Sequence, residues 1–226
     1  MDFAVIGIQK PCCPIRPSRV VQTAVYGYSG SMPVTLQSLG TIVLASQSQA
    51  RLELLKSLKL NVIVRPTHSE ETSTQTQPGN VVQELAFRKL TAYMESPDYN
   101  PRIPAVAADT LIWFENTLMG KAHSPEEARR QISRLSGNTH TVFSGFALYI
   151  DGKTYQGFDS TLVTFRKIGQ PELDNYIAGG QWKGAAGSYR LDGQAGTFIS
   201  CVQGSRNTVT GLPLERISDI IKTLRS

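Results

Sequence analysis

An aspartate stands inside the most β-prone stretch of the chain. From Ala105 to Lys121 the order is Ala-Val-Ala-Ala-Asp-Thr-Leu-Ile-Trp-Phe-Glu-Asn-Thr-Leu-Met-Gly-Lys, with apolar residues running up to Asp109 and resuming directly after it. A carboxylate in such surroundings is costly to ionise unless it is paired. Asn116 lies between two β-prone runs and supplies a turn, so the stretch predicts a hairpin that returns Gly120-Lys121 towards the level of Asp109. Acid and base would then face one another across it. Taken alone, Asp109 fits a strand-end acceptor of backbone N–H groups as well as a catalytic group, and the rest of the chain has to decide.

With 226 residues, 40% hydrophobic and 18% charged, the chain has the composition of a folded unit with a substantial core. The formal net charge of +5 suits an anionic ligand. No Lys/Arg run of the kind that marks a nucleic-acid tail occurs, so no stable nucleic-acid complex is expected. Cys12, Cys13 and Cys201 give neither a zinc spacing nor an even disulfide framework, which fits a reducing, cytoplasmic setting; Cys201 reads as a buried strand residue. The apolar run Phe3 to Ile8 is too short for a signal-peptide core or a membrane span, so no membrane association is expected. Residues 1–40 carry Pro11, Pro14, Pro17, Pro33 and a Gly/Ser cluster at Gly27 to Ser31, and read as an irregular, poorly ordered extension. A start codon placed upstream of a true start near Met32 would explain that segment equally well; a native peptide from Asp2 to Val20 would dispose of the idea.

Order is expected from Thr41. Thr41 to Ala45 reads as a strand, Ser46-Gln47-Ser48 as a polar loop, and Leu52, Leu54, Leu55 and Leu58 as a helix that Ser46 or Ser48 caps. Backbone N–H groups at that helix start suit an anion, with Arg51 one turn in as a cation, although a serine before a helix is commonly only a cap. Neither a P-loop nor a dinucleotide fingerprint is present. Asn61 to Arg65 is a second strand. The loop Thr67 to Gly79 carries Glu70 and Glu71, which are either functional or simply solvated. From Pro78 a helix presents Val81, Val82, Leu85 and Ala86 on one face, with Lys89 beside it either reaching solvent or turned inward.

Ser124-Pro125-Glu126-Glu127 is a helix start. Thr139 to Ile150 and Lys153 to Lys167 form a long antiparallel ribbon turned at Asp151-Gly152. His140, with no visible partner, reads as structural rather than as a general base. A short helix from Pro171 is followed by a glycine-rich loop, Lys183 to Gly193, able to bring backbone close to a ligand. Phe198 to Val202 reads as a core strand, Gly204 to Gly211 as a polar loop, and Leu212 to Leu224 as an amphipathic terminal helix.

A series of ordered motifs over residues 41–226 resembles the Maf, or septum-formation inhibitor, family. Leu44-Ala-Ser-Gln-Ser-Gln-Ala-Arg-Leu-Glu-Leu-Leu55 is similar to its Leu-Ala-Ser-x-Ser-Pro-Arg-Arg-x-Glu-Leu-Leu. Glu70-Glu71-Thr72 resembles its Asp-Glu-Thr, and Leu85-Ala86-Phe87-Arg88-Lys89 its Leu-Ala-x-x-Lys. Ala108-Asp109-Thr110 with Gly120-Lys121 resembles Ala-Asp-Thr and Gly-Lys-Pro, and Leu135 to Val142, Ala186 to Tyr189 and Val209 to Leu214 complete the set.

The resemblance implies an α/β fold, a mixed twisted sheet flanked by helices with two lobes around a cleft, similar to inosine triphosphatases. The activity it implies is a nucleoside triphosphate pyrophosphatase dependent on Mg or Mn. The substrate would be cut between its α and β phosphorus. In that reading Asp109 is the proton acceptor, Asp109 and Glu71 hold the metal, and Glu71 and Lys89 complete the catalytic set. Ser46, Ser48, Arg51 and Lys121 bind the triphosphate. Ala50, Thr110 and Asp192 occupy the positions that choose the base. Thr110 resembles the dTTP/UTP branch and the acid at Asp192 the 7-methyl-GTP branch. Gln49-Ala50 replaces Pro-Arg and Ala122 replaces the proline of Gly-Lys-Pro. A silent Maf-like regulator of cell division that acts by binding, and a triphosphatase of the inosine type, are the competing readings. A second copy of the chain is left open as a partner.

Overall fold

The computed structural model describes residues 36–69 and 72–225. Seven strands form one mixed sheet: β1 (Thr41–Leu44), β2 (Asn61–Val64), β3 (Ala105–Phe114), β4 (Thr117–Met119), β5 (Thr139–Ile150), β6 (Lys153–Phe165) and β7 (Ile199–Gln203). Their order is β2-β1-β3-β5-β6-β7, with β4 paired to β3. β1 runs parallel to β2 and β3; every other pairing is antiparallel. The hairpin around Asp109 is present, turned at Glu115 and Asn116 with φ of 48° and 57°, the left-handed pair that matches strand twist.

The helices are α1 (Gln49–Ser57), α2 (Pro78–Met94), α3 (Pro125–Leu135), α4 (Gln170–Gly179), α5 (Arg206–Thr210) and α6 (Leu214–Arg225). Ser48 caps α1, its hydroxyl accepting from the Arg51 N–H. At α3 the Ser124 hydroxyl accepts from the Glu127 N–H while the Glu127 carboxylate accepts from the His123 N–H, a reciprocal cap on orphan donors.

Period-two alternation along β3 decides what lies on each face. Ala105 and Ala107 point towards Ala86, Leu90 and Tyr93 of α2. Val106 and Ala108 point to the opposite face, into a core with Leu55 of α1 and Ile217 and Ile221 of α6. Further along, Ile112 enters another core with Ile132 of α3, Tyr176 of α4, Phe165 and Phe198. Asp109 and Thr110 therefore stand where β3 passes between apolar cores.

The folded region begins earlier than Thr41. A 3-10 turn, Leu36–Leu39, buries Leu36 to 2% exposure in the core shared with α6. The rest of the extension expected over residues 1–40, residues 1–35, lies outside the described residues. The polar loop expected over Gly204 to Gly211 holds α5 instead, and Phe198, expected to open a strand, ends the 3-10 turn Gln194–Phe198, with β7 starting one residue later. Cys201 is half-buried rather than buried, because β7 is the edge of the sheet. No helix among the described residues is long and apolar enough to cross a membrane.

His140 is structural in this fold. It is 2% exposed, its Nε2 lies 2.7 Å from the Tyr189 hydroxyl, and its Nδ1 has no hydrogen-bond partner among the described residues. Desolvation pushes its pKa down from 6.5 to about 4. The unfolded chain takes up a proton below pH 6.5 that the folded chain refuses until about pH 4. The stability tied to neutral His140 is thus complete above pH 6.5 and is lost as pH falls towards 4. Urea unfolding at pH 7 and pH 5 should show the parent weaker at pH 5, with a flatter pH dependence in His140→Gln. An equal slope in both proteins would exclude His140 as its source.

Candidate active site

Asp109 continues the odd series of β3 and so faces α2. Its carboxylate receives the Lys89 ammonium, with Asp109 7% and Lys89 9% exposed. Two charges removed from water cost several kcal/mol each, on the order of magnitude found for buried ions, and hold together only when each compensates the other. Register explains how Lys89 arrives. Asp109 pairs with Gly145 on β5, and a Cβ built at Gly145 would lie 2.2 Å from the Val82 carbonyl oxygen of α2. The missing side chain lets the helix backbone lie on the strand, and Lys89, two turns on, reaches the acid.

The cation opposite Asp109 is accordingly Lys89 and not, as the hairpin alone predicts, Lys121. The β3–β4 ladder ends at Ile112 and Met119, and Lys121 instead forms an isolated antiparallel bridge with Ala186. The Gly187 N–H donates to the Gly120 carbonyl at 2.9 Å, which ties the glycine-rich loop to the end of the hairpin.

Thr110 projects from the other face of β3, where Arg51 binds it. Arg51 is 9% exposed and its Nη2 donates to Thr110 Oγ1 at 3.0 Å, its Nη1 to Ser46 Oγ at 3.0 Å and its Nε to the Gly211 carbonyl at 2.8 Å. Ser46 Oγ also accepts the Ser48 N–H at 3.2 Å. Both serines thus shape the strand-to-helix turn with their hydroxyls. The Gln49 and Ala50 N–H groups at the start of α1 have no acceptor among the described residues. These two donors, beside the Arg51 charge, form the anion-attracting part of the turn.

Ser46, Ser48, Arg51 and Thr110 are therefore brought together, with Lys89 and Asp109 back to back with them across one strand. Ala50 is half-buried in the first turn of α1. Asp192 sits in an exposed turn before Gly193, and its carboxylate has no hydrogen-bond partner among the described residues. Glu71 lies outside the described residues. Among those described, no group of three His, Cys, Asp or Glu side chains is placed to hold a metal ion.

Sequence reasoning missed Ser144 and Thr208. Ser144 is fully buried on β5, opposite Thr110, with Oγ 2.8 Å from Thr110 Oγ1 and 2.7 Å from the Thr208 carbonyl that accepts its proton. A lone small hydroxyl in an apolar ribbon carries no signal of its own; the register of Ser144 against Thr110 is what reveals it.

The family model described as "Maf-like protein" matches residues 41–224. Over 181 residues the chain is 35% identical to a dTTP/UTP pyrophosphatase of Pyrococcus horikoshii, covering 80% of this chain and 95% of that protein. A dTTP/UTP pyrophosphatase of Agathobacter rectalis is 34% identical over 201 residues, 82% of this chain and 98% of its own length. One from Bacillus cereus is 34% identical over 177 residues, 78% and 91% of the two chains. With the motif-bearing residues gathered at the joint of β3 and the match spanning the sheet and its helices, the chain belongs to the Maf family.

Proposed function

We propose that this chain hydrolyses nucleoside triphosphates between the α and β phosphorus, with dTTP and UTP as substrates. The observation that carries the reading is the buried Asp109–Lys89 pair set one residue from the Arg51–Thr110 contact. Relatives at about this similarity, named dTTP/UTP pyrophosphatases, support the pyrimidine choice over 7-methyl-GTP. Asp192, exposed and without a hydrogen-bond partner among the described residues, adds no observation in favour of the guanine-type alternative.

In this reading the polyphosphate lies at the start of α1, drawn by the Gln49 and Ala50 N–H groups and the charges of Arg51 and Lys121. Asp109 accepts a proton from the water whose oxygen attacks the α phosphorus. The bond from that phosphorus to the bridging oxygen breaks, and pyrophosphate departs with the electron pair. Lys89 holds Asp109 in place and offsets negative charge gathering nearby.

A divalent metal fits the donor set. Asp109 supplies a hard carboxylate oxygen, and Mg²⁺ characteristically takes one or two carboxylates together with substrate phosphate oxygens and waters rather than a closed protein cage. When bound, the metal would neutralise phosphate charge; Asp109, with Glu71, would hold it.

The test is incubation of the purified protein with a panel of ribo- and deoxyribonucleoside triphosphates and Mg²⁺ or Mn²⁺, scoring pyrophosphate against orthophosphate. Pyrophosphate with the nucleoside monophosphate is expected, greatest from dTTP and UTP. A chelator should abolish turnover and readdition of Mg²⁺ or Mn²⁺ should restore it. Orthophosphate as the product would overturn the α–β cleavage. Inactivity on every triphosphate would favour a regulator that acts by binding.

A further inference from the structure

Hydrogen-bond direction at Thr110 can be read without seeing a proton. Arg51 has donors only, so its contact with Thr110 Oγ1 makes that oxygen an acceptor. Ser144 has one hydroxyl proton, and the Thr208 carbonyl 2.7 Å away can only accept it. With that proton committed, the 2.8 Å contact between the two hydroxyls has Thr110 as donor and Ser144 as acceptor. The chain is directional, running from Arg51 through Thr110 and Ser144 to the backbone of α5.

Thr110 has thereby spent its only proton inside the protein and keeps one lone pair. The residue is half-buried, and the backbone facing its hydroxyl is Gly211, at φ 108°. A Cβ there would stand 3.0 Å from Thr110 Oγ1 and 3.2 Å from Arg51 Nε. A side chain at residue 211 would cover the hydroxyl; glycine leaves it open.

We propose that Ser144 is a positioning residue for substrate selection: by consuming the Thr110 proton it turns Thr110 into an acceptor-only group that selects a substrate carrying an N–H or O–H donor. This rests on the pyrophosphatase reading and deepens it. A phosphate oxygen, which can only accept, is the wrong partner for such a group. The donor is either a base N–H, as in the N3–H of uracil, or the ribose 2′-hydroxyl. UTP against CTP isolates the first, since cytosine presents an acceptor at the ring nitrogen where uracil presents N–H. UTP against dUTP isolates the second.

The experiment measures kcat/KM for UTP, CTP and dUTP on the parent, Ser144→Ala, Thr110→Val and the double variant. One of the two ratios should favour the donor-bearing substrate in the parent. Thr110→Val should lower it by about tenfold, the worth of one ordinary hydrogen bond. Ser144→Ala should lower the same ratio, because the freed hydroxyl can turn its proton outward. The double variant should fall no further than Thr110→Val. Ser144→Cys, which keeps the volume but donates and accepts weakly, replaces the alanine variant if that does not fold. Parent-like ratios in the Ser144 variants, or a Ser144 effect persisting in full on the Thr110→Val background, would overturn the proposal and leave the pyrophosphatase reading standing. A parent inactive on every triphosphate would remove both.

Discussion

Asp109→Asn should lower kcat by on the order of 10²-fold or more, the usual worth of a positioned proton acceptor, while the protein stays folded. Asparagine keeps the size of the side chain and an oxygen for Lys89 to donate to, so the packing of α2 against β3 has little reason to change. What disappears is the charge that accepts a proton and binds a hard cation. Some stability should go with it, because the Lys89 ammonium is then buried without a compensating charge. The two effects separate by measurement: steady-state kinetics at saturating substrate reports the chemistry and thermal unfolding reports the fold. Turnover close to that of the parent would remove Asp109 from the mechanism.

That a charge within an apolar strand needs a partner was legible from residues 105–114 alone. Its partner was not. Reading along the hairpin, the nearest returning cation is Lys121, and local sequence cannot tell that the β3–β4 ladder closes at Ile112 and Met119. Lys89 reaches Asp109 only because α2 lies on Gly145, thirty-six positions beyond the aspartate, and that close approach is a tertiary event. The cap at Ser48 was readable because a serine before a helical apolar pattern has a local job. Helix α5 was not. Its five residues include two threonines and a valine, poor helix formers, and it is too short to show a period. What holds it is context: the Ser205 cap, the Ser144 hydroxyl on the Thr208 carbonyl and the Arg51 guanidinium on the Gly211 carbonyl.

Alternation along β3 gives the adjacent Asp109 and Thr110 different work. One faces α2 and its lysine; the other faces α1, its arginine and the serine turn. A strand that projects successive side chains to opposite faces keeps a buried acid and a selective hydroxyl apart at no cost in chain length. The contact between this acid and Lys89 then depends on how α2 is seated, and that seat is Gly145.

Gly145→Val should therefore be the most damaging substitution outside the charged residues. Its Cβ would fall 2.2 Å from the Val82 carbonyl oxygen and 2.6 Å from the Gln83 nitrogen, both backbone atoms of α2 that no rotamer change can move aside. Overpacking a well-filled core typically costs about 1–3 kcal/mol, and a clash with helix backbone belongs at or above the top of that range. For a domain of this size about 3 kcal/mol corresponds to a fall in Tm of roughly 6–12 °C. Any relief that lifts α2 also withdraws Lys89 from Asp109, so kcat should fall beyond the loss of folded protein. Gly120→Ala is the matched control near the same site, since its Cβ would meet only the Leu111 side chain at 3.6 Å, an ordinary contact. It should leave Tm within about 2 °C of the parent, as expected for a change of about 0.5 kcal/mol or less. A Gly145→Val protein as stable and active as the Gly120→Ala control would show that α2 does not need the bare backbone at Gly145 to present Lys89.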